Sequence, residues 1–329
     1  MAVTVSPTPP ARAVPARRRT QRAKEAWSSR LRHKFDVKGT PYLYVAPFFL
    51  IFLVFGLFPI AYTGWMALTR WNRDVPGSSG IFFGMGNFVR LIHDEYFWNA
   101  LGNTVAIGVL GAVPQLLLAM WIAHLLHRRL RARTFLRMGV LLPNVTSVAA
   151  VGLIFAGLFG RDFGLVNWLL SLVGIEKIDW QAGTAQSWFA LAVMIIWRWT
   201  GYSALIYLAA LQAVPHDVYE AADLDGASQF QKFRSITIPA LRPTVIFTVI
   251  ISTIGSIQLF TEPLMFSPGL SPNGGNARQF QTLTMYVYEQ FWSYGKYSYA
   301  ATVSWAMFMI IIVAVGVNYL LSRRIRSTT

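Results

Sequence analysis

The sequence predicts an all-α, polytopic membrane protein: six transmembrane helices, with a polar two-helix loop between the fourth and the fifth. Three observations carry this. Of 329 residues, 54% are hydrophobic and only 13% charged, and the mean hydropathy is +0.44, too apolar for a water-facing surface. Apolar runs recur six times at membrane length, for which about 20 residues suffice. Lys and Arg concentrate in alternate connections between the runs, the distribution that sets membrane topology. The net charge of +15 therefore reads as a topology signal beside lipid, and nucleic acid is not expected as a partner. Cysteine is absent and the five histidines lack metal-ligand spacing, so no metal is expected.

Residues 1–41 read as a cationic disordered arm, with Pro7, Pro9, Pro10 and Pro15 followed by Arg17, Arg18 and Arg19. The apolar run after it is too long for a signal peptide and lacks a small-residue cleavage site. Residues 42–329 form the membrane domain. The first span is expected over 42–68, with Trp65 and Trp71 where an aromatic belt belongs. A connection of balanced charge follows, then a second span over 101–126 with Pro114 in its middle. The basic run from Arg128 to Arg137 places the next connection inside. The third span is expected over 139–160 and the fourth over 188–211. The fifth is expected over 244–266, followed by a Pro/Gly-rich loop over 267–275. The aromatic segment 280–297 is expected at the outer interface. The sixth span covers 299–321, and Arg323, Arg324 and Arg326 close the chain inside. Both termini are thus expected on the cytoplasmic side of the membrane. Backbone hydrogen bonding requires the spans to be helices, since no barrel-type alternation is present.

Between spans four and five, residues 213–243 interrupt the apolar pattern. Pro215 suits a first helical position, Gly226 a helix stop, and Ser228 with Gln231 a capping box opening a second short helix. Phe230, Phe233 and Ile236 fall on one stripe of that helix. Pro239 and Pro243 are expected to end it before the fifth span. Asp217, Glu220 and Asp223 recur at three-residue steps along the first helix.

The spacing Glu220-Ala221-Ala222, Gly226, Ile236 and Pro239 resembles the signature cytoplasmic loop of membrane subunits of binding-protein-dependent ABC importers, with Ile238 where leucine is usual. The resemblance implies that the loop docks on an ATPase subunit, Glu220 pairing with basic residues there and Ala221, Ala222 and Gly226 shaping the contact. It implies as partners a second homologous permease, two copies of an ABC ATPase and an extracytoplasmic solute-binding protein. The opening Pro41-Tyr42-Leu43-Tyr44-Val45-Ala46-Pro47-Phe48 is similar to the carbohydrate branch, in its first permease type (maltose, lactose and glycerol-phosphate permeases). Residues 258–263 resemble actinobacterial cellobiose or oligosaccharide permeases. A di- or oligosaccharide is the substrate so implied.

The chain carries no phosphate-binding Gly-x4-Gly-Lys-Ser/Thr loop, since Gly295-Lys296 continues into Tyr297. ATP and Mg are therefore expected on a separate chain, with no cofactor and no catalytic residue here. Within the spans, Arg198 facing lipid would cost about 2.5–3.5 kcal/mol, so it is expected to face a helix or a cavity, as a substrate-path residue or a structural ion pair. Glu262 is its most available acidic partner, although one continuous helix over 244–266 would set the two at different depths. Gln258 and Asn103 could hydrogen-bond a sugar or join helices. An ion-coupled secondary transporter would need more membrane carboxylates. A membrane glycosyltransferase-type enzyme would need clustered acids or histidines at one face.

Overall fold

A computed structural model describes residues 40–127 and 132–326. The cationic arm before residue 40 and most of the basic run at 128–131 lie outside the described residues. The chain divides into two units, Met1–Tyr62 and Thr63–Thr329. In the first, the described residues belong to helix α1, which runs Thr40–Phe52, widens through a π-turn at Leu53–Leu57, and continues as Phe58–Ala67.

In the second unit a two-residue hairpin pairs β1 (Thr69–Arg70) with β2 (Ile81–Phe82). The helices follow in order: α2 (Gly86–Ile92), α3 (Glu95–His127), α4 (Arg133–Val145), α5 (Val148–Leu158), α6 (Leu165–Leu172) and α7 (Thr184–Gln212). Then come α8 (His216–Leu224), α9 (Gln229–Ile257), α10 (Thr261–Phe266), α11 (Leu283–Tyr288) and α12 (Tyr297–Arg326). Among the described residues five helices (α1, α3, α7, α9 and α12) are long and apolar enough to cross a membrane, or six if the bent pair α4–α5 counts as one.

That pair corrects the expectation of a plain helix over 139–160. The chain turns by 89° between Val145 and Val148. Thr146 and Ser147 both take extended backbone, and the Thr146 hydroxyl donates to the carbonyl of Leu142 at 2.9 Å. A local polar side chain thus satisfies a helix-end acceptor and replaces the continuing ladder.

A second correction concerns the fifth span. Its helix ends at Ile257, not at 266, and Phe260 (φ −134°, ψ −59°) is out of helical geometry before α10 begins. Pro263 cannot donate to Leu259, so a continuous helix would have orphaned that carbonyl. Instead it accepts the Thr282 hydroxyl at 2.7 Å. Pro263 falls in the first turn of α10, where its missing N–H costs nothing.

The opposite outcome holds at Pro239 and Pro243, which do not end the elbow's second helix. The helix that starts at Gln229 runs unbroken to Ile257. A π-turn at Phe233–Thr237 lets the Ile238 N–H reach the carbonyl of Phe233. This wider turn carries the Pro239 ring past the preceding carbonyls, where an ordinary α-turn would clash. The same device precedes Pro59 in α1, with the Phe58 N–H on the carbonyl of Leu53.

Helices α3 and α7 share the most extensive packing, because small residues let their axes approach. A Cβ at Gly111 would meet Ile195 at 3.0 Å. The inner part of this contact is a buried cluster of Ala119, Ala123, Leu126, Ala204, Tyr207, Leu208, Leu211 and Leu241. The Tyr207 hydroxyl closes it across to Thr248 of α9 at 2.6 Å. Toward the other end, Ile107, Leu191, Met194 and Ile195 join Val151, Phe155, Leu259, Phe266 and Phe280. Phe280, Leu283, Met285 and Tyr286 are buried within the protein. Of the aromatic segment after the fifth span, Phe280 and Tyr286 are therefore core, whereas Tyr288, Phe291, Trp292 and Tyr294 stay exposed.

Candidate functional site

The elbow between α7 and α9 is built by local chemistry. Pro215 is the N-cap of α8. At its end the Gly226 N–H meets the carbonyl of Asp223 (3.1 Å) and the Ala227 N–H that of Ala222 (2.9 Å). That pair of bonds is a Schellman stop, which needs a left-handed residue, and Gly226 has φ +71°. Ser228 and Gln231 close a reciprocal capping box at the start of α9. Asp223 pairs with the buried Lys232, joining the two helices of the elbow. The remaining anchor is α3: Phe233 packs on Trp121 and His124 at ring separations of 5.7 and 5.0 Å. Tyr219 bonds Thr237 at 3.2 Å, and Thr237 bonds His124 at 3.3 Å.

Glu220, Ala221, Gly226 and Pro239 are exposed on this elbow, with Ala222 and Ile236 partly so. The stripe expected from Phe230, Phe233 and Ile236 is divided by the π-turn. Phe233 turns onto α3, whereas Phe230 stays 68% exposed, as does Leu224 at 90%.

At the far end of α9 lies a cavity of about 410 Å³, bounded by α3, α7, α9 and the broken segment before α10. Its apolar walls include Ile195, Trp199, Tyr202, Ile206, Phe247 and Phe260, and its polar lining includes Gln115, Ser203, Ser252, Ser256, Gln258 and Thr261. Irregular backbone at membrane depth is tolerated where it lines such a space. Arg198 and Glu262 both line it, and they are in contact: Nη1 to Oε1 is 2.6 Å. The expected difference in depth does not exist, because Glu262 stands on α10 beyond the break and not on a continuing helix. The Arg198 guanidinium also lies over the Trp199 ring at 5.1 Å.

Three of the four residues singled out for a substrate path thus come together, and Asn103 does not join them. Its amide donates to the carbonyls of Arg278 and Gln281 at 2.9 and 3.2 Å, and its oxygen accepts the Trp188 indole at 3.1 Å. With both donors and an acceptor engaged, it ties α3 to α7 and to the segment before α11.

The family described as "Binding-protein-dependent transport system inner membrane component" matches residues 115–327, a stretch that takes in the elbow and nearly all of the cavity. The chain belongs to this family. The lactose transport system permease protein LacF of Rhizobium radiobacter is 37% identical over 289 residues, covering 87% of this chain and 94% of that protein. The arabinooligosaccharides transport system permease protein AraP of Halalkalibacterium halodurans is 34% identical, covering 87% and 89%. Among solved structures, a bacterial alginate ABC transporter in complex with an alginate pentasaccharide-bound periplasmic protein contains a chain of the same fold. Its TM-score is 0.76 at 21% identity, over 90% of this chain and 98% of that one.

Part of this permease's cavity went unread in the sequence although a signal was present. Thr248, Ser252 and Ser256 recur at four-residue steps, one polar line along an otherwise apolar helix, and all three face the cavity. A second polar centre has no such spacing. Arg278 (φ +57°) forks onto the buried Glu289 at 2.6 and 2.9 Å, and Gln281 bonds both.

Proposed function

We propose that this multi-pass permease carries a saccharide, a di- or oligosaccharide delivered by an extracytoplasmic binding protein, across the bacterial inner membrane. It works with a second homologous permease and two copies of an ABC ATPase, which bind ATP and Mg. In this reading the bent pair α4–α5 is one span, making six, and both termini lie in the cytoplasm with the elbow.

The observation that carries the reading is the continuity of α9, a 29-residue helix from elbow to cavity rim, about 43 Å long at 1.5 Å per residue. An ATPase holding Glu220, Ala221, Ala222 and Gly226, with Ile236 and Pro239 at the root of the helix, would move α9 as a lever. Phe233 and Thr237 would carry α3 along. The cavity between them would then open to alternate sides as the nucleotide state changes. The cavity's chemistry suits a sugar: Trp199, Tyr202 and Phe260 offer flat apolar faces, and Gln258, Ser252 and Ser256 offer hydroxyl partners. The names of the relatives agree with this. An ion-coupled carrier has less support, since the one carboxylate among the lining residues is already paired with Arg198.

Reconstitution tests the proposal. Labelled disaccharide uptake into liposomes holding the full assembly should require both ATP and the binding protein. Glu220→Lys should lower it by at least tenfold while the protein stays inserted, and Gly226→Pro should do the same by destroying the left-handed stop. ATP-dependent uptake at the unsubstituted rate in both variants would remove the elbow from the coupling path.

A further inference from the structure

We infer that the Arg198–Glu262 pair is a charge filter, which makes the cavity accept uncharged saccharides and turn away those carrying a carboxylate or an amine. This rests on the reading of the cavity as a sugar site. Of the twenty residues lining it, Arg198 and Glu262 are the charged ones, and they neutralise each other at 2.6 Å. Their side chains are 10% and 7% exposed, so water does little to screen them.

A cavity with a bare arginine would draw in a uronic acid, and one with a bare glutamate an amino sugar. With the pair closed, an ionised substrate must shed its hydration and finds no opposite charge to replace it. Discrimination then comes from the missing partner and not from extra contacts to the favoured ligand. Neutral hydroxyls keep a use for the pair. Arg198 Nη1 holds one oxygen of Glu262, and a carboxylate accepts through both. A sugar hydroxyl can donate to the second oxygen. The Trp199 ring beside the guanidinium supplies a flat face for the same sugar.

The test uses the purified importer assembly in lipid nanodiscs without its binding protein, so that delivery does not select the ligand. Three radiolabelled probes are compared by equilibrium dialysis: a β-linked glucose disaccharide, the same disaccharide ending in glucuronate, and the same ending in glucosamine. The unsubstituted assembly should favour the neutral probe over either charged one by at least tenfold. Glu262→Gln should raise the acidic-to-neutral binding ratio at least tenfold, and Arg198→Gln should raise the amine-to-neutral ratio likewise. The double variant should return both ratios to their starting values. Equal binding of neutral and acidic probes by the unsubstituted assembly overturns the filter whether or not any variant folds. Unmoved ratios in a variant that assembles overturn it too. Binding of none of the probes to the unsubstituted assembly counts against the sugar reading itself.

Discussion

Asp94 shows how one side chain holds a connection in place. It accepts the hydroxyl of Tyr286 at 2.5 Å and that of Tyr299, and so fastens the start of α3 to α11 and α12. Burial alone would raise its pKa, but the two tyrosine bonds and the backbone N–H groups of Tyr96 and Phe97 outweigh it and hold the carboxyl below its usual range. Burial, joined by the bond to Asp94, pushes the Tyr286 hydroxyl well up. A carboxyl with a lowered folded-state pKa contributes stability that is full above its unfolded value, about 3.9, and is lost as pH falls through the folded value. The detergent-solubilised protein should therefore lose this contribution only below about pH 4. Asp94→Asn should cost about 1.5–3 kcal/mol at neutral pH, the range for hydrogen bonds to a charged group, and should flatten the acid limb of a thermal-unfolding pH series. An unchanged acid limb would mean that the carboxylate is not the group responsible. The acidity around Asp94 was visible in the sequence, but its partners, 192 and 205 residues away, were not, because no local spacing encodes a contact of that range. The same holds for Arg198 and Glu262, where each residue drew notice and the break that unites them did not.

At the scale of elements, prolines decide less than their neighbours do. Pro239 and Pro263 both interrupt the backbone donors, yet a π-turn carries the helix past the first, while the Thr282 hydroxyl donates to the Leu259 carbonyl left free before the second. The local sequence shows that a proline must be accommodated; the tertiary partner determines how. Helix existence was legible from hydropathy for α1, α3, α7 and α12; the ends of α1, α7 and α12 fall within a few residues of those expected, while α3 begins earlier, at Glu95. The breaks at 146–147 and 258–260 were not, since polar residues such as Thr146, Ser147 and Gln258 do not by themselves mark a break: Ser252 and Ser256 lie within the unbroken α9. Packing between α4 and α7 gives a sharper test. A Cβ at Gly201 would lie 1.7 Å from the carbonyl oxygen of Val140, which is backbone and cannot rotate aside, whereas a Cβ at Gly102 meets nothing within 4 Å. Gly201→Ala should force α4 away from α7 and cost about 1–3 kcal/mol, the usual penalty of overpacking. Gly102→Ala should stabilise by about 0.5–1 kcal/mol through helix propensity. Thermal unfolding of both variants in one detergent compares them directly, and equal midpoints would contradict the close approach.

For the whole molecule, the bent pair α4–α5 decides on which side of the membrane the elbow lies. Between the β1–β2 hairpin and the elbow the chain passes α3, the pair, and α7. If the pair crosses the membrane, that is an odd number of crossings and the two connections face opposite sides. If the pair enters and returns, the number is even and they face the same side. The basic residues of the run from Arg128 to Arg137 favour the cytoplasm for the connection before α4, and the elbow can meet a cytoplasmic ATPase only with the pair as a crossing. The chain contains no cysteine, so single cysteines can be placed without a background. Ser79 on the hairpin connection and Leu224 on the elbow are both exposed. A membrane-impermeant maleimide should label Ser79→Cys in right-side-out vesicles and Leu224→Cys only in inverted ones. Labelling of both from the same side would make the pair re-entrant and put the elbow out of reach of any motor on the other face.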